Sequence, residues 1–250
     1  ARIKRADKRY AIGEYYQAAE MYKQVSRNIK GKEKSIRAYV AFQQAECYRV
    51  LNNKRAANLY KNAIRYNYPD SIVYLRYAQV LQYQGKYKDA AEQYNIYLAA
   101  HPNDYVAMAG KYACSQVDTW RKQPSRYKIS PANEFNAKRS SNFAPAFTSE
   151  DGDALIFTSN RQEQKSSTKK KVRTSSVTGM PSFNLYSARK NAAGKWEEIE
   201  LCEGLYAETE AEDGEGTQKQ TSTAELGVAS LSADGRTMYF TYSKPINGQD

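Results

Sequence analysis

Catalysis at neutral pH needs a nucleophile, proton-transfer groups or metal ligands, and this chain holds few of them. It has one histidine, His101, and three cysteines, Cys47, Cys114 and Cys202, with no Cys-x-x-Cys pair. A Ser/His/Asp or Cys/His system would have to use His101, which stands immediately before Pro102 where a helical pattern ends. A helix-terminal role is expected for it. Cys47 and Cys114 fall in small-residue positions of helical patterns, where a thiol behaves as a small apolar group. One disulfide would leave a third thiol unpaired. Asp151-Gly152-Asp153 lacks the spaced oxygen ligands of a calcium loop and reads as a hairpin turn. Carboxylates crowd together only at 203–216, where nothing would desolvate them enough to shift a pKa usefully. No GxGxxG, GxxxxGK[ST], HExxH or GxSxG pattern occurs. The expectation is no catalytic residue, no metal, no cofactor, and therefore no enzyme.

Side chains that bind rather than react are better represented, and charge shows where. Before Gln123 there are 22 basic and 10 acidic residues, after it 16 and 17, and 17 of the 22 tyrosines lie in the first part. Such a change in charge and aromatic content marks a domain boundary near 120–140. The basic part suits an acidic partner, nucleic acid or anionic lipid. Nucleic acid ranks last, because only charge argues for it. No run of about 18 apolar residues occurs, and the start lacks the apolar core of a secretory signal.

The elements that carry these side chains repeat. Gly13-Glu14-Tyr15-Tyr16-Gln17-Ala18-Ala19-Glu20-Met21-Tyr22, Asn53-Lys54-Arg55-Ala56-Ala57-Asn58-Leu59-Tyr60 and Gly85-Lys86-Tyr87-Lys88-Asp89-Ala90-Ala91-Glu92-Gln93-Tyr94 align. Each has Ala-Ala with Tyr four residues after the first Ala, at separations of 38 and 34 residues. A second small residue, Ala6, Ala45 or Ala78, precedes each anchor by 11 or 12 residues, so two helices per unit follow. The alanines are needed where paired helices cross, and the Tyr of the next turn fills the gap beside them. Gly13 and Gly85 stand where the first helix must turn, with Asn52-Asn53 in the middle unit; Pro69 and Pro102 follow the second helices.

These residues resemble the tetratricopeptide (TPR) family, most closely over Tyr74–Pro102. The resemblance implies an α-solenoid at 1–120, about three repeats and a capping helix over 104–117, with first helices lining a peptide-binding face. Tyr10, Arg49, Arg76, Gln79 and Tyr83 are expected to look into that groove. Reversing Arg49 and Arg76 to Glu is expected to weaken capture without unfolding the array.

From Trp120 to Ser141 the text is polar and reads as a linker and first strand, 121–141. Then Phe143–Phe147 leads through Asp151-Gly152 into Ala154–Ser159, and the same grammar returns 83 residues later in Val228–Thr241. In both copies a Ser precedes the Asp of Asp-Gly by two residues and a Phe follows it by six, which suits a tight hairpin. Asn184–Ala188 and Trp196–Leu201, joined by a turn at 191–195, supply two further strands. Insertions 162–182, rich in Lys, and 203–223, rich in Glu, read as charged surface loops.

This half resembles the PD40 type of β-propeller repeat of TolB-like proteins: Ser-x-Asp-Gly, then a strand ending in Thr158-Ser159-Asn160-Arg161. Residues 142–250 would be the first blades, incomplete in this chain. The expected fold class is thus multidomain, α then β: a TPR solenoid followed by the start of an antiparallel propeller. That order of domains is similar to the PorE-like, OmpA-family peptidoglycan-associated lipoproteins of the type IX secretion system. The resemblance implies a non-catalytic scaffold in the periplasm, held at the outer membrane by a lipid on a cysteine just before Ala1. It further implies protein partners, among them a PorP-like outer-membrane protein and other secretion components, and peptidoglycan contact through a domain outside this chain. The alternative is a propeller-gated hydrolase with its catalytic domain beyond residue 250.

Overall fold

The computed structural model describes residues 2–29, 33–137, 140–161, 174–202, 205 and 225–243. The chain divides into two compact units: Ala1–Lys128 with Ser176–Gly179, and Ile129–Ser175 with Met180–Asp250. Among the described residues the first unit is seven α-helices and the second is antiparallel strands.

The helices are α1 (Arg2–Ala11), α2 (Tyr15–Asn28), α3 (Lys34–Val50), α4 (Ala56–Arg65), α5 (Ile72–Tyr83), α6 (Tyr87–Ala100) and α7 (Tyr105–Lys122). Each packs mainly on its neighbours in sequence, and α5 with α7 is the main exception. That nearest-neighbour packing is the signature of a helical-hairpin array, and the unit is TPR-like. Ala6, Ala18, Ala45, Ala56, Ala78 and Ala90 are fully buried at the crossings, and Tyr22, Tyr60 and Tyr94 are buried beside them. With no Cβ branch to hold the backbones apart, the alanines let helices approach, and each Tyr ring fills the remaining space.

All three first helices end in the same way. Gly13, Asn52 and Gly85 take positive φ (+83°, +56° and +76°). Each donates to the carbonyl three residues back, and the next residue donates to the carbonyl five back: Glu14 to Arg9, Asn53 to Tyr48, Lys86 to Leu81. This is the Schellman closure, which favours glycine and tolerates asparagine. The same closure ends α4, at Asn67 (φ +58°), two residues before Pro69. Asp104 caps α7 with its side chain, which accepts from the Ala107 amide at 2.9 Å.

In the second unit, β1 (Asn142–Phe147), β2 (Ala154–Ser159), β3 (Asn184–Lys190) and β4 (Trp196–Leu201) pair antiparallel in sequence order. A second sheet pairs β5 (Glu225–Leu231) with β6 (Met238–Ser243). The two Ser-x-Asp-Gly turns are built alike: Ser149 Oγ accepts from the Ala154 amide at 2.9 Å, and Ser232 Oγ from Thr237 at 3.0 Å. Each first strand carries a bulge, between Phe143 and Ala146 in β1 and between Gly227 and Ala229 in β5. Of the linker-and-first-strand region 121–141, residues 121–122 end α7, and the other described residues hold one 3-10 turn, Asn133–Phe135, and no strand. The Phe135 ring of that turn docks on Phe157 (5.3 Å) and Trp196 (5.4 Å). Insertion residues 162–173, 203–204 and 206–223 lie outside the described residues.

Candidate binding groove

The helical array sets the groove by periodicity. Ala45 must face α4, so the next residue, Glu46, is carried into the same crossing and is buried although charged. Burying a carboxylate costs several kcal/mol unless it is paired and hydrogen-bonded. Glu46 is both. It accepts the hydroxyl of Tyr60, and Arg49, one turn further along α3, donates Nε to Oε1 (3.2 Å) and Nη2 to Oε2 (2.8 Å). Arg76 of α5 brings its Nε within 3.9 Å of Oε1 and donates from Nη1 to Gln79 at 3.2 Å. Burial, with the Glu46 charge next, raises the pKa of Tyr60; the hydrogen bond to Glu46 raises that of Arg49.

Two of the five expected groove residues, Arg49 and Arg76, therefore meet one carboxylate, and Gln79 joins it through Arg76. Tyr10, packed edge-on against Tyr15 at 5.5 Å, feels it too: burial first, then Glu46, raises its pKa. Arg49 and Gln79 line a cavity of about 680 Å³ with Tyr48, Asn52, Asn53, Lys54, Tyr83, Gln84 and Lys86. Arg76 supports that wall through Gln79. Tyr83 is the most open of the five, 70% exposed, and its hydroxyl accepts a hydrogen bond from the Asn52 amide. Gln79 and Tyr83 also border a second hollow of about 710 Å³, lined on its other side by Trp120 and Arg121 of α7.

This geometry corrects the expected consequence of Arg49→Glu. Arg49 is not a solvated groove cation but half of a largely buried pair, its side chain 28% exposed against 8% for Glu46. A second carboxylate there would face Glu46 at contact distance and disrupt the crossing. Of the cations lining the cavity, Lys54 and Lys86, at the turns that close α3 and α5, have no ion partner among the described residues, and the lining holds no acidic residue. Sequence alone missed Glu46 and the two lysines. The signal for Glu46 was an acid following the crossing alanine with Arg three residues on. The lysines stand within the repeats but lie just past the first helices, outside the helical period.

The reactive-looking residues sit elsewhere. His101 ends α6, stacks on Tyr97 at 4.6 Å and shares a 2.7 Å hydrogen bond with Ser71. All three cysteines are free; burial pushes the Cys47 thiol up to about 12 and raises Cys114 and Cys202 as well. Such thiols are poor nucleophiles at neutral pH. Among the described residues no three His, Cys, Asp or Glu gather as a metal site, and no helix is long and apolar enough to cross a membrane.

No family model matches this chain, and no curated protein matches it. Among solved structures it is similar to the C-terminal TPR-containing domain of a Plasmodium falciparum FK506-binding protein. The identity is 12% over 49% of this chain and 89% of that one, with a TM-score of 0.43. A likeness of that degree adds nothing to what the helices themselves show.

Proposed function

We propose that the chain is a non-catalytic protein-binding scaffold whose helical groove holds an extended acidic segment of a partner. The observation that carries this is the lining of the 680 Å³ cavity. Lys54 and Lys86 supply positive charge, Asn52, Asn53, Gln79 and Gln84 supply amides that can pair with a peptide backbone, and Tyr83 offers an exposed ring. Tyrosine is among the residues that most often anchor protein interfaces, and lysines at a groove steer an acidic segment toward it. We further propose that β1–β4 is a propeller blade and β5–β6 opens the next, since a four-stranded antiparallel meander is the unit of that architecture. The order of the two domains supports a place beside the PorE-like lipoproteins. On that reading the protein is periplasmic, lipid-anchored at the outer membrane, and bound to a PorP-like protein and other secretion components. Peptidoglycan contact would belong to a domain outside this chain.

The test is affinity capture from detergent-solubilised envelopes with the wild-type chain and a Lys54→Glu/Lys86→Glu variant, followed by mass spectrometry. Outer-membrane secretion components retained by wild type and lost by the variant are expected. Equal recovery by both would remove the groove from the reading, and recovery of no envelope protein would remove the pathway.

A further inference from the structure

A second charged hollow lies at the opposite end of the first helix pair and is independent of the groove reading. It measures about 430 Å³, and its lining includes Arg2 and Arg5 of α1 and Arg27 of α2. None of the three arginines enters a hydrogen bond or ion pair among the described residues, and no Asp or Glu lines the hollow. The neighbouring acids are engaged: Asp7 accepts the hydroxyls of Tyr22 (2.6 Å) and Tyr39 (2.9 Å), and Glu20 pairs with Lys23 at 3.0 Å. Buried Val25 and partly buried Met21 line the hollow together with the amide side chains of Gln24 and Asn28.

The three arginines are exposed around one hollow whose lining holds no acid, and like charges gathered there attract an anion. A carboxylate offers two oxygens in one plane and satisfies one guanidinium fork. A phosphate offers oxygens on several sides and can meet forks arriving from two helices. Met21 and Val25 offer a small apolar surface beside the arginines, which suits an ester with hydrocarbon next to the phosphate. We propose that Arg2, Arg5 and Arg27 form a binding site for the phosphate of an anionic phosphate ester, of the kind a phospholipid headgroup carries.

The experiment is cosedimentation of the 250-residue chain with phosphatidylcholine vesicles containing or lacking phosphatidylglycerol, with soluble glycerol phosphate as competitor. Arg5→Ala/Arg27→Ala is compared with Lys61→Ala/Lys111→Ala, which removes the same charge from exposed positions away from the hollow. Binding to phosphatidylglycerol vesicles is expected to fall about fivefold per arginine, the effect of about 1 kcal/mol per basic residue at an anionic surface. The lysine pair should lose less than about twofold on the same scale. Displacement by glycerol phosphate would identify a soluble ester as sufficient ligand; persistence against it would place the ligand in the bilayer. Equal losses from both variants, or no binding to either probe, would overturn the site. Should the arginine variant misfold, protection of Arg5 and Arg27 from phenylglyoxal by the same probes in the wild-type chain decides the matter, and absence of protection rejects the proposal.

Discussion

Tyr60 and Tyr94 occupy the same position in successive helix pairs, both buried and both donating a hydroxyl back to the first helix of their own pair, but they meet different acceptors. Tyr60 meets Glu46, a buried carboxylate that also draws in Arg49 and Arg76. Tyr94 meets Gln82, a neutral amide, at 2.7 Å, and its ring end is pressed against Gly110 of α7. The small residues and the ring thus fix the crossing geometry, while the acceptor is free to differ. Where it is charged, the crossing gains a polar network that reaches the groove; where it is neutral, the crossing has packing and a single hydrogen bond between neutral groups.

The largest effect is expected at the charged end of this comparison. Glu46→Ala would leave Tyr60 without an acceptor and Arg49 without its counterion in a mostly desolvated site. Removing one member of a buried pair costs about 3–5 kcal/mol, and the partial exposure of Arg49 places this case near the lower figure. Chemical denaturation should show the array weakened by about 3 kcal/mol with its m-value unchanged. A loss below about 1 kcal/mol, the worth of an ordinary hydrogen bond, would mean that Glu46 is solvated and the contrast with Gln82 is empty.

The packing end is tested by Gly110→Ala. In an open helix interior this change stabilises by about 1 kcal/mol, because glycine is the poorer helix former. At Gly110 the added Cβ would sit 2.4 Å from Tyr94 Cζ and 2.5 Å from its hydroxyl oxygen. The ring is buried and held by Gln82, so it cannot swing clear without vacating its position. Overpacking of this kind costs about 1–3 kcal/mol and should outweigh the propensity gain. A raised melting temperature would show that Tyr94 moves freely and that the third pair is not packed as tightly as the second.

Much of this was legible in the sequence because spacing records what a helix crossing demands. Ala18-Tyr22, Ala56-Tyr60 and Ala90-Tyr94 announce the buried positions, and Ser149 and Ser232 announce two turns in which the Ser hydroxyl accepts from the amide five residues on. The repeat identifies a position but not its polar neighbour, which is why Glu46 went unseen: a Glu next to alanine in a helix is ordinarily solvated, and only the partners contributed by α4 and α5 bury it. The role of Asn67 was hidden likewise. Pro69 drew attention as the stop signal, whereas α4 closes two residues earlier through a left-handed asparagine that composition does not distinguish from any other. Phe135 lay in a stretch that is polar on average, and an isolated aromatic there carries no period from which burial could be read.

The smallest effect sharpens the comparison from the neutral side. Tyr94→Phe removes one hydroxyl whose partner, Gln82, is only partly buried and can turn to water, so a loss of about 1 kcal/mol is expected at pH 7. Its pH dependence is more telling. Burial raises Tyr94 from 10.0 to about 12, so the folded state holds the phenolic proton more tightly than the unfolded chain does. A group of this sign adds a constant increment below pH 10, and that increment declines as pH rises from about 10 to about 12. The stability difference between wild type and Tyr94→Phe should therefore stay level from pH 6 to pH 9 and shrink above it. The alkaline weakening of the whole array should persist in the variant, because Tyr22 and Tyr60 are raised in the same direction. A difference that stays flat through pH 12 would show that the Tyr94 hydroxyl titrates as it does in water, and the third crossing would then be open where the second is sealed.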